Sequence, residues 1–404
     1  MYIQRVPARV GRCPEQKEQG AVLIHVAIAM LALLAFTTLA VDYGVFWVSR
    51  AEAQNAADAG AHAGAVALAF DDAVDRSTSG KAYQAALVTA NANQVWQVAP
   101  AVTVDVVSPC PDDGSPNCVR VDVFRNQAKG NPLPVFFGNL LGLSTQGVRA
   151  TATARYQIGD ATDCLKPFAM PDKWVEHYPV DAPWNANLTF DTKDATGNPL
   201  PNTGLSGGAD VYIPPSPGIT GTSFQMPADI GTQVILIEAP TLNSLTPGPS
   251  PAWRGRLDLG GNYANNFSGC NGTVFKIGDT LPIQGGKAIG QEKSGFAGMG
   301  DSGAYWNTGT KSVAGSCAPG CAPWSPRIGV VAGFDVQKYD TDRSAGVPFS
   351  TFTVTIANLY GVFVESVGVS KSTTLIYGRL MPYEGQIVGT GGGSSFLRIV
   401  NFVR

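Results

Sequence analysis

Charge is scarce in this chain of 404 residues: Asp, Glu, Lys and Arg make up 15% of it, and the formal net charge is −3. Such a balance supplies no basic footprint for nucleic acid, which excludes DNA and RNA as expected partners. Histidine is scarcer still, with only His25, His62 and His177, so any nucleophile-base chemistry would have to rest on one of these three. Proline is missing altogether between Glu15 and Ala99, whereas 26 of the 28 prolines fall from Pro100 onward. The first hundred residues therefore read as helical and the remainder as something else. What is abundant is glycine, with 47 residues, a composition expected of loop-rich exported β proteins. The length allows two or three domains of ordinary size.

The 21 residues from Ala21 to Val41 carry no formal charge. As a helix they rise about 31 Å, which matches the hydrocarbon thickness of a bilayer. Eleven of them are Val, Leu, Ile or Phe, favouring insertion by about 5 kcal/mol before His25 and the two threonines are subtracted. The run ends in Asp42-Tyr43-Gly44 and the aromatic pair Phe46 and Trp47, not in the small-x-small exit of a cleaved secretory signal, and it reads as a retained anchor. Arg5, Arg9, Arg12 and Lys17 precede it, while only Arg50 lies between Asp42 and Asp75. Basic residues resist translocation, so residues 1–20 are expected in the cytoplasm and the rest outside.

The seven cysteines agree with that orientation. Cys13 is alone on the cytoplasmic side, and Cys110, Cys118, Cys164, Cys270, Cys317 and Cys321 all fall in the translocated part. An even number in an oxidising space suggests disulfides. Six cysteines leave the connectivity open, and proximity selects Cys110 with Cys118 and Cys317 with Cys321, which leaves Cys164 with Cys270 by elimination. Zinc at Cys317-x-x-x-Cys321 would need a second close pair or a histidine, and neither accompanies it.

Between Ala51 and Ala69 ten of nineteen residues are alanine, so the membrane helix is expected to continue past the bilayer as one rod. Ala56, Gly60, Gly64 and Leu68 follow at four-residue spacing and allow another element to approach closely. That element is either the chain's own domain or a partner subunit; the spacing leaves both open. A second helix is expected at about Lys81 to Trp96. After Pro100 the period becomes two: Ala101 to Val107 and Val119 to Phe124 read as a hairpin closed by Cys110 and Cys118, and Val148 to Tyr156 as a third strand. A long helix on a small antiparallel sheet is a pilin-like arrangement, expected for residues 42–160 together with the span. From residue 161 to 404 short apolar runs alternate with Gly/Pro/Asn/Ser clusters: Gln233 to Glu238, Thr273 to Ile277, Arg327 to Phe334, Ser350 to Ala357, Tyr360 to Val367, Thr374 to Leu380 and Ser395 to Val403. These predict a β-rich extracytoplasmic domain, with Pro214 to Pro217 and Pro247 to Pro251 as turns or connectors. The whole reads as α+β.

Three further elements carry a resemblance: the apolar run from Gly20, then Val41-Asp42-Tyr43-Gly44, then Gln54-Asn55-Ala56-Ala57-Asp58-Ala59-Gly60-Ala61. Residues 18 to 70 thereby resemble the N-terminal segment of TadG-like proteins of the bacterial Flp, or tight-adherence, pilus assembly systems. The resemblance implies an inner-membrane protein exposed to the periplasm, serving pilus biogenesis or a secretion apparatus alongside other assembly proteins. Related pseudopilins carry a leader ending in Gly and a Glu five residues into the mature chain. Here Gly20 stands at the leader position and His25 at the fifth, which leaves cleavage between Gly20 and Ala21 open. Some TadG-like proteins carry a von Willebrand A domain with an Asp-x-Ser-x-Ser metal site; residues 160–404 contain no such motif, so no metal site is carried over. The segment Cys164 to Trp174, with Tyr360-Gly-Val-Phe-Val-Glu365, looks like C-terminal regions of other TadG-related proteins.

The remaining motifs favour bland readings. Gly300-Asp301-Ser302-Gly303 mimics a serine-protease nucleophile, but only His177 could serve it and its surroundings differ from that family's, so the motif reads as a turn. Asp340-Thr-Asp342-Arg-Ser344 alternates oxygen donors, yet Thr351 stands where an EF-hand needs Glu, so a solvated turn is expected. Gly389-Thr-Gly391-Gly-Gly393 lacks the Lys-Ser/Thr of a phosphate loop. His25 is either a neutral packed residue or a polar contact to a neighbouring membrane protein. The expectation is a non-enzymatic, membrane-anchored structural or assembly component without a cofactor, metal or evident small-molecule substrate. A minor pilin or adhesin cleaved after Gly20, and more remotely a membrane-tethered hydrolase on Ser302 and His177, are the alternatives.

Overall fold

The computed structural model describes residues 19–71, 74–216, 219, 221–239, 255–284, 288–315, 325–369, 374–388 and 396–403. Cys13, Cys317, Cys321, the connector Pro247 to Pro251 and the run Gly389 to Gly393 lie outside the described residues. The fold is mixed α+β, a long apolar N-terminal helix followed by a β-rich remainder.

Helix α1 runs unbroken through Gln19–Phe70, 52 residues or about 78 Å. Absence of proline and the alanine content allow that length. Among the described residues it is the one helix long and apolar enough to cross a membrane. Its character changes along its length. From Val22 to Val41 the large apolar side chains are exposed. From Val45 onward one face is buried, made of Ser49, Ala53, Ala56, Ala57, Gly60, Ala61, Gly64, Ala65 and Leu68. Steps of three and four residues hold these on a single stripe.

The chain divides into two compact units, Met1–Gly60 with Val88–Thr103 and Val121–Ala152, and Ala61–Leu87 with Val104–Arg120 and Thr153–Arg404. In the first, Glu52 on α1 accepts the Trp96 backbone N–H at 2.6 Å. It thereby holds the turn after helix α2, Lys81–Ala92. Sequence reading extended α2 to Trp96, but Trp96 and Gln97 take φ of 49° and 62°, which a right-handed helix does not accommodate. Asp122 accepts from Arg149 at 2.9 Å and from the Thr151 hydroxyl, locking neighbouring strands side by side.

In the second unit, a Cβ on Gly64 would lie 2.7 Å from Val119 Cγ1 and 2.9 Å from the Ala86 methyl. The small residue on α1 is thus what lets the helix seat against its own chain. Cys110 is bonded to Cys118 across an eight-residue separation, and Cys164 to Cys270 across 106. A five-stranded sheet has the order Ala101–Val107, Cys118–Arg125, Val148–Ile158, Leu397–Val403, Tyr383–Glu384. Leu397–Val403, one of the apolar runs of residues 161–404, joins this sheet and not the seven-stranded one. It pairs antiparallel with Thr153 to Ile158, and such non-local pairing leaves no trace in local periodicity.

A seven-stranded sheet forms the core of the C-terminal region, in the order Gln233–Ala239, Thr374–Leu380, Thr353–Val369, Ile328–Phe334, Leu165–Pro171, Gly255–Arg256, with Thr280–Pro282 on the start of Thr353–Val369. Ile328–Phe334 runs parallel to Leu165–Pro171. Val330, Ala332 and Phe334 face one cluster with Leu165 and Ala169, while Val331 faces another with Phe168, Met170, Tyr360 and Val362. Both faces are buried, which explains why these strands read as continuous apolar runs. Thr353–Val369 is one strand where the sequence suggested two, because Asn358, which broke the pattern, is itself buried and hydrogen-bonded to the Tyr360 hydroxyl. Three helices, Tyr263–Ser268 (α3), Ile289–Met299 (α4) and Val336–Ser344 (α5), were not anticipated.

Candidate functional site

The first charged residue after the apolar run of α1 is Asp42. Its carboxylate accepts three consecutive backbone N–H groups from a distant loop: Phe136 at 2.9 Å, Phe137 at 3.2 Å and Gly138 at 2.6 Å. Consecutive N–H groups converging on one anion form a nest, and each charge-assisted bond is stronger than a neutral one. Gly138 belongs there for a steric reason. A Cβ at that position would sit 2.7 Å from Val135 Cγ1 and 3.2 Å from Asp42 Oδ2. The short 3₁₀ turn Gly138–Leu141 follows, closed by Gly142 with φ of 81°, a conformation that glycine adopts readily. One turn of α1 further on, Tyr43 and Trp47 meet edge to face with ring centroids 6.1 Å apart. The chemistry available to this site is positioning: it fixes a loop to a helix where the helix stops being apolar.

A second polar centre lies in the seven-stranded region. Asp172 is completely enclosed, and its carboxyl accepts from the hydroxyls of Tyr360, Ser223 (2.7 Å) and Tyr212 (3.1 Å) and from the Lys173 N–H (2.8 Å). Burial pushes its pKa up, and these hydrogen bonds oppose that rise. The two segments singled out in the sequence, Cys164 to Trp174 and Tyr360 to Glu365, thus meet through Asp172 and Tyr360. Nearby, Glu176 accepts from the Trp174 indole at 2.9 Å. Burial, with the Asp210 and Asp191 carboxylates adding to it, raises Glu176 to about 7. Burial also lowers Lys166 to about 8, and its ammonium donates to the Phe267 and Gly269 carbonyls at 3.0 and 2.8 Å. The sequence singled out the segments that hold Lys166, Asp172 and Tyr360 but not the network they form, because Asp172 finds its hydroxyl partners 40, 51 and 188 positions away and Lys166 its carbonyls 101 and 103 positions away.

Ser302 and His177 do not form a site. Ser302 lines an open cavity of about 720 Å³ with Asp301, Tyr305, Arg327 and Glu365, and His177 is not among its lining residues. The His177 ring is 2.7 Å from Asp181. Gly300 and Asp301 take φ of 66° and 55°, as in a turn. The expected turn at Asp340 to Ser344 is instead the end of α5. Asp335 caps that helix through the Lys338 N–H at 2.8 Å, Asp340 accepts from Thr192 and Arg343, and Asp342 pairs with Lys338. Ala56, Gly60 and Gly64 are buried. His25 is exposed on α1, and the His62 ring lies 6.0 Å from that of Phe402. Gly20 and Ala21 fall in the first turn of α1.

Residues 20–67 match the family model described as Flp pilus-assembly TadE/G-like. The N-terminal segment is TadE/G-like. The match takes in the apolar run, Asp42 and most of the alanine-rich stripe, and it links this segment to Flp pilus assembly. No curated protein and no solved structure matches the chain.

Proposed function

We propose that this TadE/G-like chain is a membrane-anchored, non-catalytic structural component of a Flp/Tad-type pilus or secretion apparatus. In this reading residues 1–20 are cytoplasmic, 21–41 cross the bacterial inner membrane, 42–160 form a pilin-like helix and sheet, and 161–404 are a β-rich periplasmic body. Cys317 with Cys321 would add a third disulfide to that body. Its partners are the bilayer and other assembly proteins, reached by contact.

The observation that carries the proposal is the coincidence, within residues 20–67, of the family match with an exposed apolar helix that turns small and buried after Val45. A bilayer covers the first part and the protein's own body the second. The test is to shear cells, separate the surface fraction from the inner membrane, and determine the N-terminal mass of the chain in each. Full-length protein confined to the inner membrane is the expected result, with fewer surface fibres when the gene is removed. A soluble chain overturns the anchor. A chain beginning at Ala21 in the sheared fraction replaces the assembly factor by the minor-pilin reading.

A further inference from the structure

We infer that the loop tied to Asp42 is a second membrane contact, its tip seated among the lipid headgroups beside the point where α1 leaves the bilayer. The inference rests on the anchored reading above. Asp42 directly follows a run of about 31 Å, the hydrocarbon thickness, so whatever its carboxylate holds within hydrogen-bond distance lies in the interfacial layer. That layer adds roughly 5 to 7 Å on each side.

The loop has the chemistry of that layer. Phe136, Phe137 and Leu143 are 53%, 42% and 61% exposed, and Tyr43 and Trp47 on the adjoining turn of α1 are 57% and 55% exposed. Tyr43 and Trp47, each with an apolar and a wet end, suit headgroup depth, and Phe136, Phe137 and Leu143 beside them are apolar surface that such a depth removes from water. Between Lys129 and Arg149 there are 19 residues without a formal charge.

Backbone polar groups already paired within the protein also lower the cost of bringing a loop close to the hydrocarbon, where water is scarce. Here the N–H groups of Phe136, Phe137 and Gly138 are taken by Asp42. That of Leu133 goes to the Gln146 carbonyl at 3.0 Å, and that of Leu143 to the Gly138 carbonyl at 2.9 Å. The Gln146 amide caps the Pro134 carbonyl at 2.7 Å. Pro132 and Pro134 have no N–H to satisfy. The occupant of this surface is therefore the bilayer, as a continuation of the surface that α1 already presents to it.

The experiment reconstitutes the full-length protein into phosphatidylcholine/phosphatidylglycerol vesicles that contain a phosphatidylcholine with a diazirine on its acyl chain near the headgroup. After irradiation, trypsin releases residues 18–50, 130–149 and 174–193 as separate peptides, and mass spectrometry reads the lipid adducts on each. Labelling of 18–50 and of 130–149, both about five-fold or more above 174–193, is the expected result. Labelling of 18–50 with 130–149 at the level of 174–193 overturns the inference and leaves the anchored reading standing. No labelling of 18–50 overturns the anchored reading and the inference with it. Asp42→Ala is expected to lower labelling of 130–149 about three-fold or more at constant labelling of 18–50, since it removes the charged acceptor of the three bonds. Unchanged labelling in that variant overturns the role given to Asp42.

Discussion

Asp172 shows how a single charged residue becomes the centre of a core. Between Pro171 and Lys173, it is enclosed and gathers the hydroxyls of Tyr360, Ser223 and Tyr212. Removing it strands buried donors, each costing about 1 to 3 kcal/mol when left unmade. Asp172→Ala is accordingly expected to lose about 3 kcal/mol or more in urea unfolding of the full-length protein, while Tyr360→Phe loses about 1. An Asp172→Ala variant within 1 kcal/mol of the parent would show, given about 1 to 3 kcal/mol per unmet donor, that the hydroxyls find other partners. Glu176 adds a pH dependence. Its pKa rises from 4.5 in the unfolded chain to about 7 in the fold, so between those values the folded state holds the proton that the unfolded state has lost. Its contribution is full below pH 4.5 and is lost as the pH rises through about 7. Glu176→Gln keeps an acceptor for Trp174 and is expected to flatten the decline of the denaturation midpoint over that window. An unaltered decline would assign it to other groups. Neither residue was legible beforehand, because the burial that makes them matter comes from partners far along the chain.

At the scale of elements, α1 was legible because its signals are local: no proline, many alanines, and small residues at four-residue steps. What its sequence left open was the partner of the small stripe. Two glycines of the same helix separate the contributions. Around Gly44 a Cβ would meet nothing within 4 Å, whereas at Gly64 it would meet Val119 Cγ1 at 2.7 Å, Ala86 Cβ at 2.9 Å and the Ala82 carbonyl at 3.1 Å. Helix propensity favours alanine at both by about 1 kcal/mol. Overpacking at Gly64 costs typically 1 to 3 kcal/mol, about enough to reverse that gain. Gly44→Ala is thus expected to leave the melting temperature in detergent unchanged or raised, and Gly64→Ala to lower it. Equal effects would place the Gly64 face away from the chain's own helix and strand. Helix α5 is the opposite case: only Val336 and Tyr339 of its nine residues are apolar and buried, and the Asp335 cap and the Lys338 to Asp342 pair support the rest. Short polar elements of that kind resemble turns in sequence.

For the molecule as a whole, the least legible feature is that the chain's last strand returns to the sheet built near its beginning. Leu397–Val403 pairs with Thr153 to Ile158. From it the buried Arg398 donates to the carbonyl of Ala69, in the last turn of α1, at 2.7 Å, with its guanidinium 4.3 Å above the Tyr156 ring. A cation at a helix C-terminus answers both the dipole and an orphan carbonyl. The contact joins positions 329 residues apart, which no period or spacing could announce. It makes the C-terminal strand responsible for finishing α1 within the second unit. A hydrogen bond from a charged group is worth about 1.5 to 3 kcal/mol. Arg398→Met retains most of the packing volume and removes the donor, so it is expected to cost about that amount in urea unfolding. Hydrogen exchange should locate the damage, with faster exchange in the last two turns of α1 and in Thr153 to Ile158 while Ile328–Phe334 stays protected. If the variant unfolds at the parent's midpoint and exchange in the end of α1 is unchanged, the helix terminus does not depend on the C-terminal strand. The pairing of Leu397–Val403 with Thr153 to Ile158 would then have no consequence for the end of that helix.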